Sequence, residues 1–307
     1  MAQSIIFQKV KGFGLVPVVA FQDVGQALRT AAAIREARLG VVEITLRTPA
    51  GLDSIRAVKD AFPDMTVGAG TVIDLAAAAA SLAAGAEFVV LPGYQEDVVR
   101  WCLEKSLPVY PGCVTPTEIQ SALRLGVKTL KFFPSGVYGG MKAIGALSGP
   151  FAPFGVNFIP TGGVGLDNLA DYAASPFVTA VGGGFLCPDK YLAAGDYQAV
   201  AARASEAVDK WLGFELGRLA GPHGPDAGSF QDQDKDSDGN VMIGTHSVYR
   251  AAFYLSRAGF RPAEGQEAPS ACGPDPSEAI MVRDGAGCRG DKAGKFSVRL
   301  AGRGRNK

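Results

Sequence analysis

The chain has 307 residues, 47% of them hydrophobic, and its 30 Lys+Arg balance 30 Asp+Glu, so it can bury a sizeable core at zero net charge. That balance argues against a nucleic-acid partner, which needs a basic excess, and no apolar run approaches the roughly 18 residues of a membrane span. Five irregularly spaced cysteines make no disulfide framework and point to a reducing, cytoplasmic setting, and His223 and His246 offer little for a histidine-built metal site.

From the start to about Trp211, short apolar runs alternate with Ala/Leu-rich stretches. The opening residues show no charged-then-apolar signal pattern. The runs are LVPVVA from Leu15, VVEITL from Val41, TVGAGT from Thr66, EFVVLP from Glu87, LPVYPG from Leu107, VKTLKFF from Val127, VNFIPT from Val156 and VTAVGG from Val178. Between them lie helical patterns such as VGQALRTAAAIREARLG, DLAAAAASLAAGA and PTEIQSALRLG. Strands covered on both faces read as continuous apolar runs, and these do. Eight repeated βα units predict an α/β fold, a (β/α)8 TIM barrel over residues 1–212, with an open doubly wound sheet as the alternative.

The texture changes after this segment. Residues 213–240 read as a linker, with GPHGPDAGSFQDQDKDSDGN rich in Gly, Pro, Asp and Gln. Asp234, Asp236, Asp238 and Gly239 hint at a calcium loop, but Thr245 stands where the bidentate Glu belongs, so a solvated linker is the better reading. Residues 241–307 predict a small βαββ-like α+β extension, partly disordered: a strand and amphipathic helix in NVMIGTHSVYRAAFYLSRAGF, then strands in SEAIMVRD and GKFSVRLAG.

In a barrel, polar residues at strand C-terminal ends line the active face. Lys131, inside TLKFFPS, is a lysine in a strand expected to be buried. Such an amine is either paired or pushed towards its neutral form, and a neutral amine is what Schiff-base attack on a ketone needs. Glu43, inside VVEITLRT, is the matching buried carboxylate, suited to shuttling protons. Its other partner would be Arg47, yet four residues along a strand are about 13 Å apart, so Lys131 is the better pair. Arg47 and Thr71 offer donors for a substrate carboxylate. The glycine-rich turns at Thr161, Gly162 and Gly163, and at Gly183 and Gly184, stand where barrels commonly seat phosphate. Cys113 has no histidine to activate it and reads as a packing residue.

VVEITLRT, GAGT, LPG, PGCVTPTE, LKFFPSGVYGGMKAIGALSGPF and FIPTGGVGLDNLADY, in this order over about residues 5–211, resemble the 2-keto-3-deoxy-6-phosphogluconate (KDPG) / 4-hydroxy-2-oxoglutarate (KHG) aldolase family. The resemblance implies a homotrimeric (β/α)8 class I aldolase acting on a small keto acid with neither metal nor cofactor. It implies Lys131 as Schiff-base lysine and Glu43 as general acid/base. Arg47 and Thr71 would hold the pyruvyl carboxylate, Pro92 and Phe133 would wall the pocket, and Thr161, Gly162 and Gly163 would border the substrate's ends. Relatives often read GGSWL where this chain has Gly183, Gly184 and Phe185, so a phosphate-binding serine hydroxyl is missing. The implied reaction is KDPG cleavage to pyruvate and glyceraldehyde 3-phosphate. Cleavage of 4-hydroxy-2-oxoglutarate or of the phosphogalactonate analogue is the alternative, and an inactive scaffold with a partner-binding tail the last. The C-terminal piece is faintly similar to a degenerate glyoxalase-like module.

Overall fold

The structure, a computed structural model, describes residues 2–213, 215–216, 241–269, 278–284 and 295–302. The chain divides into two compact units, Met1–Val208 and Asp209–Lys307.

The first unit runs α1 (Ala2–Phe13), β1 (Leu15–Val19), α2 (Val24–Glu36), β2 (Val41–Thr45), α3 (Gly51–Ala61), β3 (Thr66–Gly70), α4 (Leu75–Ala83) and β4 (Phe88–Val90). It continues with α5 (Glu96–Glu104), β5 (Val109–Tyr110), α6 (Pro116–Arg124), β6 (Thr129–Phe132), α7 (Gly140–Phe151) and β7 (Asn157–Pro160). Then come α8 (Leu169–Ala174), β8 (Val181–Gly183), α9 (Asp189–Ala194) and α10 (Tyr197–Leu212), with the unit boundary inside α10. All eight apolar runs are strands. Helix α1 had no counterpart in the sequence reading.

Capping chemistry sets several helix starts. The Asp23 and Asp74 carboxylates accept from Gln26 N and Ala77 N, each at 2.7 Å, opening α2 and α4. Helix α6 opens on a capping box: Thr115 Oγ1 accepts from Glu118 N while the Glu118 carboxylate accepts from Thr115 N, with Pro116 in the first turn.

Six strands pair in parallel in the order β5-β4-β3-β2-β1-β8, and β6 pairs in parallel with β7. Isolated parallel bridges join Gly112 to Lys131, Phe158 to Val178 and Thr161 to Gly182. Every residue of β2, β3 and β6 is buried, as expected of strands covered on both faces. The result is an α/β fold whose parallel-strand sheet is curled. In a flat sheet, β2 and β6 would stand about 19 Å apart at four strand spacings. Instead Glu43 of β2 and Lys131 of β6 meet at 3.4 Å.

The second unit contains β9 (Glu215–Leu216), β10 (Val241–Thr245), α11 (Val248–Arg257), β11 (Arg261–Pro262), β12 (Glu278–Asp284) and β13 (Lys295–Gly302). The sheet order is β11-β12-β13-β10-β9, with β10 and β13 parallel and the other pairs antiparallel. Helix α11 is capped by Ser247 and buries Val248, Ala251 and Ala252 against Ala279, Met281, Val298 and Leu300. The segment expected to be a linker from 213 onward therefore holds a strand, because Leu216 pairs with Ile243. Residues 217–240, including His223 and the Asp234–Gly239 motif, lie outside the described residues, as do Cys272, Cys288 and the tail 303–307.

Candidate active site

Lys131 and Glu43 are 6% and 3% exposed, and Lys131 Nζ donates to Glu43 Oε1 at 3.4 Å. The same amine lies 5.1 Å from the centre of the Phe133 ring, which is 38% exposed. The nitrogen thus sits between a carboxylate and an aromatic face that reaches solvent. A buried ion pair contributes little net stability, since desolvation offsets its attraction, so its presence points to chemistry.

Neighbouring backbone makes room for this pair. Gly70 on β3 lies beside the Glu43 carboxylate, and a Cβ there would come within 2.7 Å of Glu43 Cγ and nearer still to Oε1. Gly182 on β8 lies against Thr161, whose Oγ1 a Cβ would meet at 2.5 Å. Thr161 is buried, and its hydroxyl has no hydrogen-bond partner among the described residues.

A small cavity, with room for about one water, adjoins the pair. Glu43, Lys131, Thr161 and Tyr110 border it, together with apolar side chains that include Phe88 and Val10 of α1. None of Arg47, Thr71, Pro92, Phe133, Gly162, Gly163, Gly183 or Gly184 is among its walls.

Those residues instead follow the C-terminal ends of parallel strands, and so share one end of the sheet. Arg47 is exposed and its Nε donates to Thr45 Oγ1 at 3.2 Å, so it does not pair with Glu43. Leu46 N donates to Gly70 O, which ties the ends of β2 and β3 and sets Arg47 and Thr71 on neighbouring strand ends. Thr71 holds φ 59°, a left-handed conformation rare for a β-branched residue and typical of functional sites. Pro92 is exposed after β4. The loop after β6 is tied to the loop after β7 by Ser135 N to Thr161 O at 2.8 Å and Gly136 N to Gly162 O at 2.9 Å. These bonds bring Phe133 beside Gly162 and Gly136 against Gly163, and both Gly162 and Gly163 are at positive φ. Gly183 ends β8, and Gly184 is exposed in the turn after it.

Cys113 is fully buried, its amide donates to Lys131 O at 2.9 Å, and burial pushes its thiol up to about 12. Its burial fits a packing residue. Among the described residues, no group of three or more His, Cys, Asp or Glu side chains is arranged to hold a metal ion.

The model of the family described as "Aldolase: KDPG and KHG aldolase" matches residues 6–203. The chain belongs to the KDPG and KHG aldolase family. It is 38% identical over 203 residues to the 2-dehydro-3-deoxy-phosphogluconate aldolase of Treponema pallidum, covering 66% of this chain and 96% of that one. Among solved structures it is similar to the KDPG aldolase of Legionella pneumophila, in which pyruvate was captured as a covalent carbinolamine. That match has a TM-score of 0.63 and 29% identity and covers 67% of this chain and 97% of the other. The KDPG aldolase of Zymomonas mobilis with 3-phosphoglycerate matches with a TM-score of 0.62 and 32% identity, over 66% and 94% of the two chains.

Residues with no assigned role in the sequence also lie at the site of this aldolase. Gly70 appeared in the sequence reading only within the GAGT motif, yet its missing side chain leaves space for the Glu43 carboxylate. Tyr110 and Val10 carried no signal at all: a tyrosine in a strand and a valine near the N-terminus are ordinary until the fold places both on one cavity.

Proposed function

We propose that this class I aldolase cleaves KDPG reversibly to pyruvate and glyceraldehyde 3-phosphate, with Lys131 as the nucleophile and Glu43 as the general acid/base. The observation that carries the assignment is the buried Lys131 amine, 3.4 Å from Glu43 and beside a cavity. Attack of Nζ on the C2 ketone forms a carbinolamine, which loses water to give an iminium that accepts electrons. Glu43 takes the C4-hydroxyl proton as the C3–C4 bond breaks, releasing the aldehyde and leaving an enamine. Glu43 returns a proton to C3, and hydrolysis of the resulting imine frees pyruvate and Lys131. Arg47 and Thr71 hold the pyruvyl carboxylate, Phe133 and Pro92 wall the mouth, and the backbone at Thr161, Gly162, Gly163, Gly183 and Gly184 faces the phosphate end.

The pairing of β1 with β8 and the bridges at Gly112–Lys131 and Thr161–Gly182 support a closed (β/α)8 barrel as the scaffold. A homotrimer follows from the family resemblance, and a subunit contact would cover exposed apolar side chains such as Ile73, Val137 and Phe154. Buried free thiols at Cys102, Cys113 and Cys187 fit a cytoplasmic enzyme. Among the described residues no helix is long and apolar enough to cross a membrane. The described part of the second unit, strands β9 to β13 with α11, reads as a module outside the chemistry, since the catalytic pair and its cavity lie in the first.

Borohydride reduction with pyruvate tests the assignment. Mass spectrometry is expected to find the adduct on Lys131, and an adduct on Lys128 or Lys142 would refute it. The missing serine hydroxyl at the Gly183–Phe185 turn favours 4-hydroxy-2-oxoglutarate as the second substrate. The ratio of kcat/KM for the phosphorylated and unphosphorylated acids ranks the two.

A further inference from the structure

The cavity beside the catalytic pair has a polar wall that the proposed chemistry does not use. Tyr110 is buried, and its hydroxyl has no hydrogen-bond partner among the described residues. It lies on β5, two residues before Gly112, which pairs with Lys131. Paired residues point to one face of a sheet, and so do residues two apart along a strand. Tyr110 therefore faces inward one step deeper than Lys131, away from the strand ends that carry Arg47, Thr71 and Phe133. Its nearest company in the cavity wall is apolar, and Phe88 meets its ring edge-on at 5.7 Å. A phenylalanine would fill that space without burying a hydroxyl that lacks a partner among the described residues, so the oxygen calls for a reason.

The Schiff-base reading supplies one, and the role assigned to Tyr110 rests on it. Imine formation consumes the Lys131 amine, whose N–H faces Glu43 in the free enzyme. The iminium nitrogen keeps a single N–H, fixed in direction by the planar C=N bond, so Glu43 loses the freely turning amine donor just as it must take a proton from C4 and return one to C3. We propose that Tyr110 is a positioning residue for that transfer: its hydroxyl donates to a water in the cavity, and the water holds the Glu43 carboxyl group in line. The site is roomy enough for a water, and Glu43, Thr161 and Tyr110 offer it polar partners. Burial pushes the Tyr110 phenol above the ordinary phenol range, which keeps the proton on its oxygen for donation.

Tyr110→Phe removes this one oxygen and leaves the ring against Phe88, so the variant retains the fold. Three quantities are measured on wild type and variant. They are pyruvate trapping on Lys131 by borohydride, exchange of pyruvate methyl hydrogens in deuterium oxide followed by NMR, and kcat and KM for KDPG cleavage. Trapping and KM are expected to stay at wild-type values, while exchange and kcat both fall about tenfold, the worth of one hydrogen bond in the transition state. Unchanged exchange and kcat would overturn the proposal. A parallel fall in trapping, exchange and kcat would also overturn it, since a merely structural role gives that pattern. A wild-type enzyme that is not trapped on Lys131 would instead remove the Schiff-base reading and this inference together, so the two failures are told apart.

Discussion

Glu43 is held by three neighbours: Lys131 at 3.4 Å, the bare backbone of Gly70, and the cavity. Such a carboxyl group is placed to move a proton once the lysine is engaged, and its loss should separate covalent capture from turnover. Glu43→Gln is expected to keep pyruvate trapping on Lys131 while kcat for cleavage falls by about 10²-fold or more. Near-normal turnover would remove Glu43 from the mechanism. Both residues were legible beforehand, because a lysine and a glutamate inside continuous apolar runs are anomalies that burial makes expensive. The choice of partner was legible too. Four residues of extended chain separate Glu43 from Arg47 by too much, and the guanidinium turns to Thr45 instead. The service of Gly70 and Tyr110 was not legible, since each depends on which side chain of a neighbouring strand lies opposite.

Helix α6 comes after β5 and opens on the Thr115–Glu118 capping box, so its first turn lies near the strand end that carries Gly112. Burial alone would raise the Glu118 pKa, but hydrogen bonds from Val114 N, the Thr115 hydroxyl and Thr115 N outweigh it and hold the group below the ordinary value. A carboxylate whose folded pKa is depressed stabilises the fold above its unfolded value, about 4.3, and that contribution fades as pH falls through the folded value. Glu118→Ala is therefore expected to cost about 1 kcal/mol at neutral pH, with the difference from wild type shrinking below about pH 4 in urea unfolding series. A difference that does not change with pH would remove the charge from the cap. The helical spacing of PTEIQSALRLG located this helix in the sequence, and the structure adds the Thr115–Glu118 cap that starts it. Sequence rules passed over α1, whose role comes from where Val10 is carried, against the same cavity as Lys131.

The family match at residues 6–203 falls within the first compact unit, whereas the second begins inside α10 and has its own core of Val248, Ala251, Met281, Val298 and Leu300. Deleting everything after Gly221 should leave kcat and KM for aldol cleavage within about twofold of the full chain, and leave the subunit number by light scattering unchanged. A large loss of activity would make the second unit part of the working enzyme. By itself the sequence determined the eight strands, most of the helices between them and the two charged residues set among apolar ones, because propensity, capping and hydrophobic pattern act over a few residues. Only the tertiary structure decided that Glu43 on β2 meets Lys131 on β6, that Gly70 clears space for the carboxylate, and that Val10 and Tyr110 share one cavity. These contacts join residues distant along the chain, so they depend on how far the sheet curls and on its register, which no local pattern encodes.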